Sequence, residues 1–112
     1  MKSKRVKFQV PIFDVSVSVT VTDDIPGAYK RHFGIDIGNT QMACLGYRKS
    51  DFGLFFEPKA VSRHEVIAHE IFHLTHRILD RCQMNFDSDH HEVGAYLHEW
   101  LTKKIFRILK IH

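Results

Sequence analysis

Residues 62–81 read SRHEVIAHEIFHLTHRILDR, and this stretch decides both the fold class and the place of the chemistry. Ser62 followed three residues later by Glu65 matches a capping box, in which two positions exchange side-chain and backbone hydrogen bonds at a helix start. Ile67, Ile71, Leu74 and Ile78 then recur at helical spacing, flanked by Phe72 and Leu79. A helix with one apolar stripe is therefore expected to run to about Arg81. After it, Asn85 to Ser88 is polar and reads as a loop. A second helix is expected from about Asp89 to Lys110, with Val93, Leu97, Trp100, Leu101, Ile105 and Ile108 as its buried stripe. Lys103, Lys104, Arg107 and Lys110 close it. Cations there complement the helix dipole, a reading preferred to a nucleic-acid patch.

The segment before this pair reads as strands. Val6, Phe8, Val10 and Ile12 alternate with polar residues, and Val15, Val17, Val19 and Val21 alternate with Ser16, Ser18, Thr20 and Thr22. A period of two with one apolar face is the pattern of a half-buried strand. The register breaks at Ile12-Phe13, after Pro11, which implies a hairpin turn or a bend in one long strand. Asp23-Asp24-Ile25-Pro26 looks like a helix start, and Gly34 can end that short helix after Phe33. Gly38-Asn39 marks a turn. Met42 to Arg48 and Gly53 to Glu57 form a second hairpin with a loop of about four residues, and Pro58 stops its last strand. The whole order is that of an α+β fold. It is a small antiparallel or mixed β-sheet with a short helix and two long C-terminal helices on one face, forming one domain over residues 1–112.

Composition agrees. A chain of 112 residues, 44% hydrophobic and 26% charged, is sized and balanced for one globular domain and excludes a disordered or collagen-like protein. No apolar run approaches the roughly 20 residues that a membrane-spanning helix needs. The basic stretch Met1 to Lys7 lacks the apolar core of a secretory signal. Cys44 and Cys82 are too few for a disulfide framework, which fits a reducing, cytoplasmic setting. The net charge of +3 permits nucleic-acid contact without arguing for it. The outlier is histidine: nine in the chain, seven of them between His64 and His98.

Two of those histidines fall in His69-Glu70-Ile71-Phe72-His73, an H-E-x-x-H pattern inside the expected helix. Residues four apart share a helix face, so His69 and His73 can present two imidazoles to one metal ion. Glu70, turned by about 100° from His69, is placed to take a proton from a metal-bound water rather than to bind the metal. Catalytic zinc needs a third protein ligand and an open position. The candidates lie in Asp87-Ser88-Asp89-His90-His91-Glu92, and Glu92 is preferred, with His91, His90 and Asp89 behind it. A small residue at Ala95 would let the two helices approach. Glu92 also has a plainer reading, as the acceptor of a capping box begun by Asp89. Tyr96, one turn on, could donate a hydrogen bond to a tetrahedral intermediate or simply pack. His76 reads first as an exposed flank residue, with ligand orientation or oxyanion stabilisation as the alternative; His98 and Glu99 could orient a ligand histidine, Asp80 is a weaker candidate for that, and His64 reads as a surface residue. Phe52, Phe55 and Phe56 read as core, with one of them able to line a substrate subsite.

His69-Glu70-x-x-His73, followed nineteen residues later by Glu92 and then by Ala95-Tyr96, resembles the zincin metallopeptidases. It looks most like the gluzincin type, and within it like the very small metallopeptidase-like proteins of phages and prophages. The likeness covers the whole chain in layout and residues 64–101 in motif. It implies that His69, His73 and Glu92 hold one zinc ion and that Glu70 is general base and acid. The implied function is hydrolysis of peptide bonds, by a zinc-bound water that Glu70 activates, in a peptide or protein substrate. A non-catalytic zinc-binding interaction module of phage or prophage origin is the alternative. The resemblance further implies that the strand before the active helix, Gly53 to Glu57, is a sheet edge along which an extended peptide could lie. The chain departs from the class in size, having no second subdomain to wall the cleft.

Overall fold

The computed structural model describes residues 3–38, 42–84 and 91–110. Strands β1 (Ser3–Val10) and β2 (Val15–Thr22) pair antiparallel, from Ser3↔Thr22 to Val10↔Val15, so the register break after Pro11 is a hairpin turn. Ile12 does not continue the strand. It sits in the turn at φ 76° and is 98% exposed. Helix α1 (Ile25–Phe33) starts where Asp24 accepts a hydrogen bond from the Gly27 amide at 3.1 Å. It ends at Gly34, whose φ of 74° suits a residue without Cβ and whose amide donates to the Lys30 carbonyl at 2.7 Å. Strands β3 (Ala43–Arg48) and β4 (Asp51–Phe56) pair antiparallel with Arg48 opposite Asp51. Only Lys49 and Ser50 lie between them, a tighter turn than the expected loop of about four residues, because β4 begins at Asp51 rather than Gly53.

The sheet order is β1-β2-β4-β3, with β2 and β4 parallel. The sheet is therefore mixed. It also corrects the expected edge: β4 is hydrogen-bonded on both sides, and the free edge belongs to β3. The sequence of β4 explains its position. Phe52, Leu54, Phe55 and Phe56 are all buried, as a strand covered on both faces requires, and none is left to line a subsite. Phe52, Leu54 and Phe56 join Phe8, Val10, Val15, Val17 and Val19 beneath the long helices. Phe55 points to the other face, where it meets Ile25, Ala28 and Phe33 of α1. The short helix thus covers the face opposite the two long ones. Ser18, Thr20 and Thr22 are buried as well, so β2 is enclosed rather than half-buried. The Thr22 hydroxyl accepts from Ser3 Oγ at 2.9 Å and from the Asp24 amide at 3.1 Å. The Ser18 and Thr20 hydroxyls have no hydrogen-bond partner among the described residues.

After β4 a short 3-10 turn, Pro58–Ser62, leads into α2 (His64–Arg81). The expected capping box does not form. Arg63 is the cap residue, Ser62 Oγ donates to the Lys59 carbonyl at 3.2 Å, and Glu65 instead accepts from Arg63 Nε at 3.0 Å. Ile67, Ile71, Leu74 and Ile78 are fully buried, as the periodicity demands. Helix α3 (His91–Ile108) buries Gly94, Leu97, Leu101 and Ile105. Val93 and Ala95 are exposed, so Gly94 and not Ala95 is the small residue turned inward. The His64 ring meets the Phe106 ring at 5.6 Å, which sets the two helices antiparallel. Helix α3 lies over β1, through Phe8–Trp100 rings at 5.8 Å and Lys104 above the Phe8 ring at 5.7 Å. Helix α2 lies over β3, with Arg77 above the Tyr47 ring at 5.2 Å. The expected turn at Asn39, the loop Asn85 to Ser88, and Asp89 and His90 lie outside the described residues. No helix among the described residues is long and apolar enough to cross a membrane.

Candidate metal centre

Ile71 stands midway between His69 and His73 and is fully buried. Two residues of α-helix turn the chain by about 200°, so each histidine lies about 160° around the helix from Ile71. Both imidazoles therefore point directly away from the core, and both are exposed. Their Nε2 atoms converge to 3.1 Å, with the rings edge to face at 4.6 Å between centroids. At that distance one ring nitrogen donates to the other. Two nitrogens bound to zinc at tetrahedral angles would lie about 3.3 Å apart. The two nitrogens stand close to that separation, so two of the residues that the motif implies as ligands have the spacing zinc would need.

Glu70 faces a different way. It lies about 100° from Ile71, on the flank of α2 that overhangs β3, and is half-buried. Burial pushes its carboxyl above the usual range, while the neighbouring His69 and His73 pull it back down; burial wins. Glu70 and His69 line a groove of about 710 Å³, with Met42 and Ala43 at the start of β3 and Glu57 and Arg63 at its mouth. Lys59 pairs with Glu57 at 3.3 Å and Arg63 with Glu65 at 3.0 Å, so charges of both signs rim this end. Cys44, on β3, is held as a neutral thiol, its pKa pushed up to about 11 by burial first and by the Glu70 charge second. Met42, Ala43 and Arg63 were not singled out from the sequence. Two carry no polar side chain, and Arg63 sits inside what reads as a capping box.

The remaining expected residues are dispersed. Glu92 is exposed in the first turn of α3. With His64 beside Phe106, an antiparallel α3 brings Glu92 level with the chain roughly five residues, or about 7 Å, past His73. Among the described residues no group of three His, Cys, Asp or Glu side chains is gathered to hold a metal ion. His91 is the first residue of α3, while His90 and Asp89 lie outside the described residues. Tyr96 is 69% exposed and belongs to a second groove of about 750 Å³, shared with Val93, Trp100, Ile12 and Phe13. That groove opens between α3 and the β1–β2 turn, away from Glu70. His76 packs its ring on Phe72 at 4.6 Å, on the same outward side of α2 as the histidine pair. Asp80 and Glu99 are exposed and His98 is half-buried. Compared with known proteins, the chain matches no family model, no curated protein and no solved structure.

Proposed function

We propose that the protein is a zinc-dependent metallopeptidase, with His69 and His73 as two metal ligands, Glu92 as the third and Glu70 as general base and acid. The observation that carries this reading is the convergence of the two exposed imidazoles to 3.1 Å beside a half-buried carboxyl in a groove. Zinc, when bound, supplies the Lewis acidity that lowers the pKa of water and polarises a carbonyl. Glu70 accepts the proton released by the attacking water and returns it to the departing amine nitrogen. In this reading an extended peptide would pair with the outer edge of β3, beside the flank of α2 that carries Glu70. The substrate class is a peptide or protein; neither nucleic acid nor membrane enters the reading. The two free thiols, Cys44 and Cys82, support a reducing, cytoplasmic location.

The test is metal content together with cleavage of unstructured peptides by the wild type and by Glu70→Gln. The expected result is zinc retained in both and cleavage reduced by about 10²- to 10⁴-fold in the variant. Equal cleavage by both would remove Glu70 from its role. A specific observation favours a second reading, a non-catalytic zinc-binding interaction module. The histidines face directly away from the core, and Glu92 is not gathered with them. Under that reading the zinc-loaded wild type cleaves no peptide, and chelation changes partner binding instead.

A further inference from the structure

We propose that Arg77, held on the Tyr47 ring, is a specificity residue that takes a carboxylate of an extended peptide roughly three to four residues from the bond at Glu70. The inference rests on the peptide-binding part of the function proposed above, and it names acidic peptides as the substrate class of that site. It starts from two places where α2 meets β3. At one, His69 and Glu70 share a groove with Met42 and Ala43. At the other, the guanidinium carbon of Arg77 stands 5.2 Å from the centre of the Tyr47 ring. Tyr47 lies opposite Phe52, on the face of the sheet that the long helices cover. From Glu70 to Arg77 the helix turns by about 700°, so both side chains leave α2 within about 20° of each other, on the β3 flank. They are separated by about 10.5 Å along the helix axis. Ala43 to Tyr47 spans about 13 Å of strand. Helix and strand thus run in the same direction over this stretch. A peptide paired to the outer edge of β3 would pass both groups, with about three to four of its own residues between them.

The contact with Tyr47 does not use up the groups of Arg77 that bind anions. An aromatic ring meets a guanidinium through its face, whereas the N–H donors lie in the plane, at the edge where a carboxylate binds in bidentate fashion. The ring also holds a long side chain in place, so less freedom is lost when a carboxylate arrives. Arg77 and Tyr47 are both exposed, and among the described residues no carboxylate pairs with Arg77. Asp80, the nearest acid along α2, lies about 60° around the helix on its outer side. Asp51, across the hairpin from Arg48, is engaged by His32 at 2.9 Å and by Ser16 at 3.2 Å. Arg81, one turn beyond Arg77 and about 40° around, and Lys49, in the β3–β4 turn, are exposed cations at the same end. The Glu70 end of the flank differs. There Lys59 is taken by Glu57 and Arg63 by Glu65. On this flank, positive charge without a paired carboxylate is therefore gathered at the Tyr47 end, and it selects an acidic group there.

The experiment uses the full chain and short dye-labelled peptides of alanine, serine and glycine that carry one glutamate, one glutamine or one lysine at a fixed position. Fluorescence anisotropy reads binding to the metal-free protein, and product masses read cleavage by the zinc-loaded protein. The glutamate peptide should bind about 10-fold more tightly than the glutamine peptide, and high salt should shrink that advantage. Arg77→Ala should remove it, and Arg77→Glu should transfer it to the lysine peptide. Tyr47→Phe should keep it, while Tyr47→Leu should reduce it. Cuts should fall about three to four residues from the glutamate. Equal binding of the glutamate and glutamine peptides by the wild type overturns the proposal, and that comparison needs no variant to fold. A preference that survives Arg77→Ala overturns it as well. A preference that depends on Arg77, without any cleavage, removes the peptidase reading and leaves Arg77 in its role. Cleavage without any preference does the reverse.

Discussion

The two faces of α2 are built by different rules. Its inner face, Ile67, Ile71, Leu74 and Ile78, is fully buried against the sheet and α3. Its outer face, with His69 and His73, is exposed. Burial of apolar area holds the inner face, and residues of similar size and hydrophobicity would serve there. Nothing in the packing calls for histidine on the outer face. Spacing alone brings the two Nε2 atoms to 3.1 Å. One helix therefore carries the fold on one side and the candidate chemistry on the other, and the two should be separable by mutation.

The largest separation is expected at Ile71. Ile71→Ala removes a side chain with no exposure and leaves a cavity, at a cost of about 2–5 kcal/mol. Denaturant unfolding measures it; a loss below about 1 kcal/mol would mean that the inner face does not hold the fold as described. Next comes the β3 edge. A Cβ at Gly46 would lie 2.6 Å from the Tyr29 hydroxyl oxygen, and the Tyr29 ring is wedged at 5.0 Å from Phe33 and 5.3 Å from Phe55. Gly46→Ala should cost about 1–3 kcal/mol through displaced Tyr29, read as a lowered midpoint with an unchanged denaturant slope.

The inner face was fully legible in the sequence, because helical period three to four admits one solution once apolar residues occupy it. The strands were legible for the same reason, in their existence and in the hairpin pairing of β3 with β4; between β1 and β2 the pattern allowed either a hairpin or a bend in one strand, and the structure makes it a hairpin. Their order was not legible. Which hairpin strand joins β2 is a long-range choice, and it put β3 rather than β4 at the edge. The burial of Ser18 and Thr20 was hidden too, since alternating hydroxyls on a strand read as a solvent face. Ser62 and Glu65 fit a capping box in spacing, yet the 3-10 turn directs Ser62 backward to Lys59, a competition between local hydrogen bonds that spacing does not decide. At the candidate site, the histidine pair and Glu70 could be placed from helix geometry alone. Glu92 depended on how α3 slides along α2, and the contact of His64 with Phe106 sets that slide.

A smaller effect tests the flank where the two faces meet. Cys44 is raised from 9.0 to about 11, chiefly by burial. In the unfolded chain the thiol ionises first, so folding becomes progressively less favourable between about pH 9 and pH 11. The contribution of Cys44 to stability is complete below about pH 9 and falls as pH rises through about 11. The direct measurement is alkylation of the folded chain at pH 8, where Cys44 should react about 100-fold more slowly than an unperturbed thiol, given its two-unit rise. Rapid labelling of Cys44 at that pH would show the β3 flank to be open to solvent.

The smallest expected change is on the outer face itself, in metal-free protein. His69→Ala removes an exposed ring, one edge-to-face contact and one shared hydrogen bond, all on the solvent side. Surface substitutions of this kind shift stability by no more than about 0.5 kcal/mol, and alanine, the better helix former, offsets part of the loss. His73→Ala should behave alike, with Tm moved by a few degrees at most. The two substitutions together should add little to either alone, because the hydrogen bond they share is lost once. In the presence of zinc the outcome should reverse. Wild type gains stability in proportion to its affinity for the ion, and neither variant follows it. A metal-free loss above about 1 kcal/mol would place the histidines in the fold after all, and would make their spacing a packing feature of α2 rather than a prepared pair of ligands.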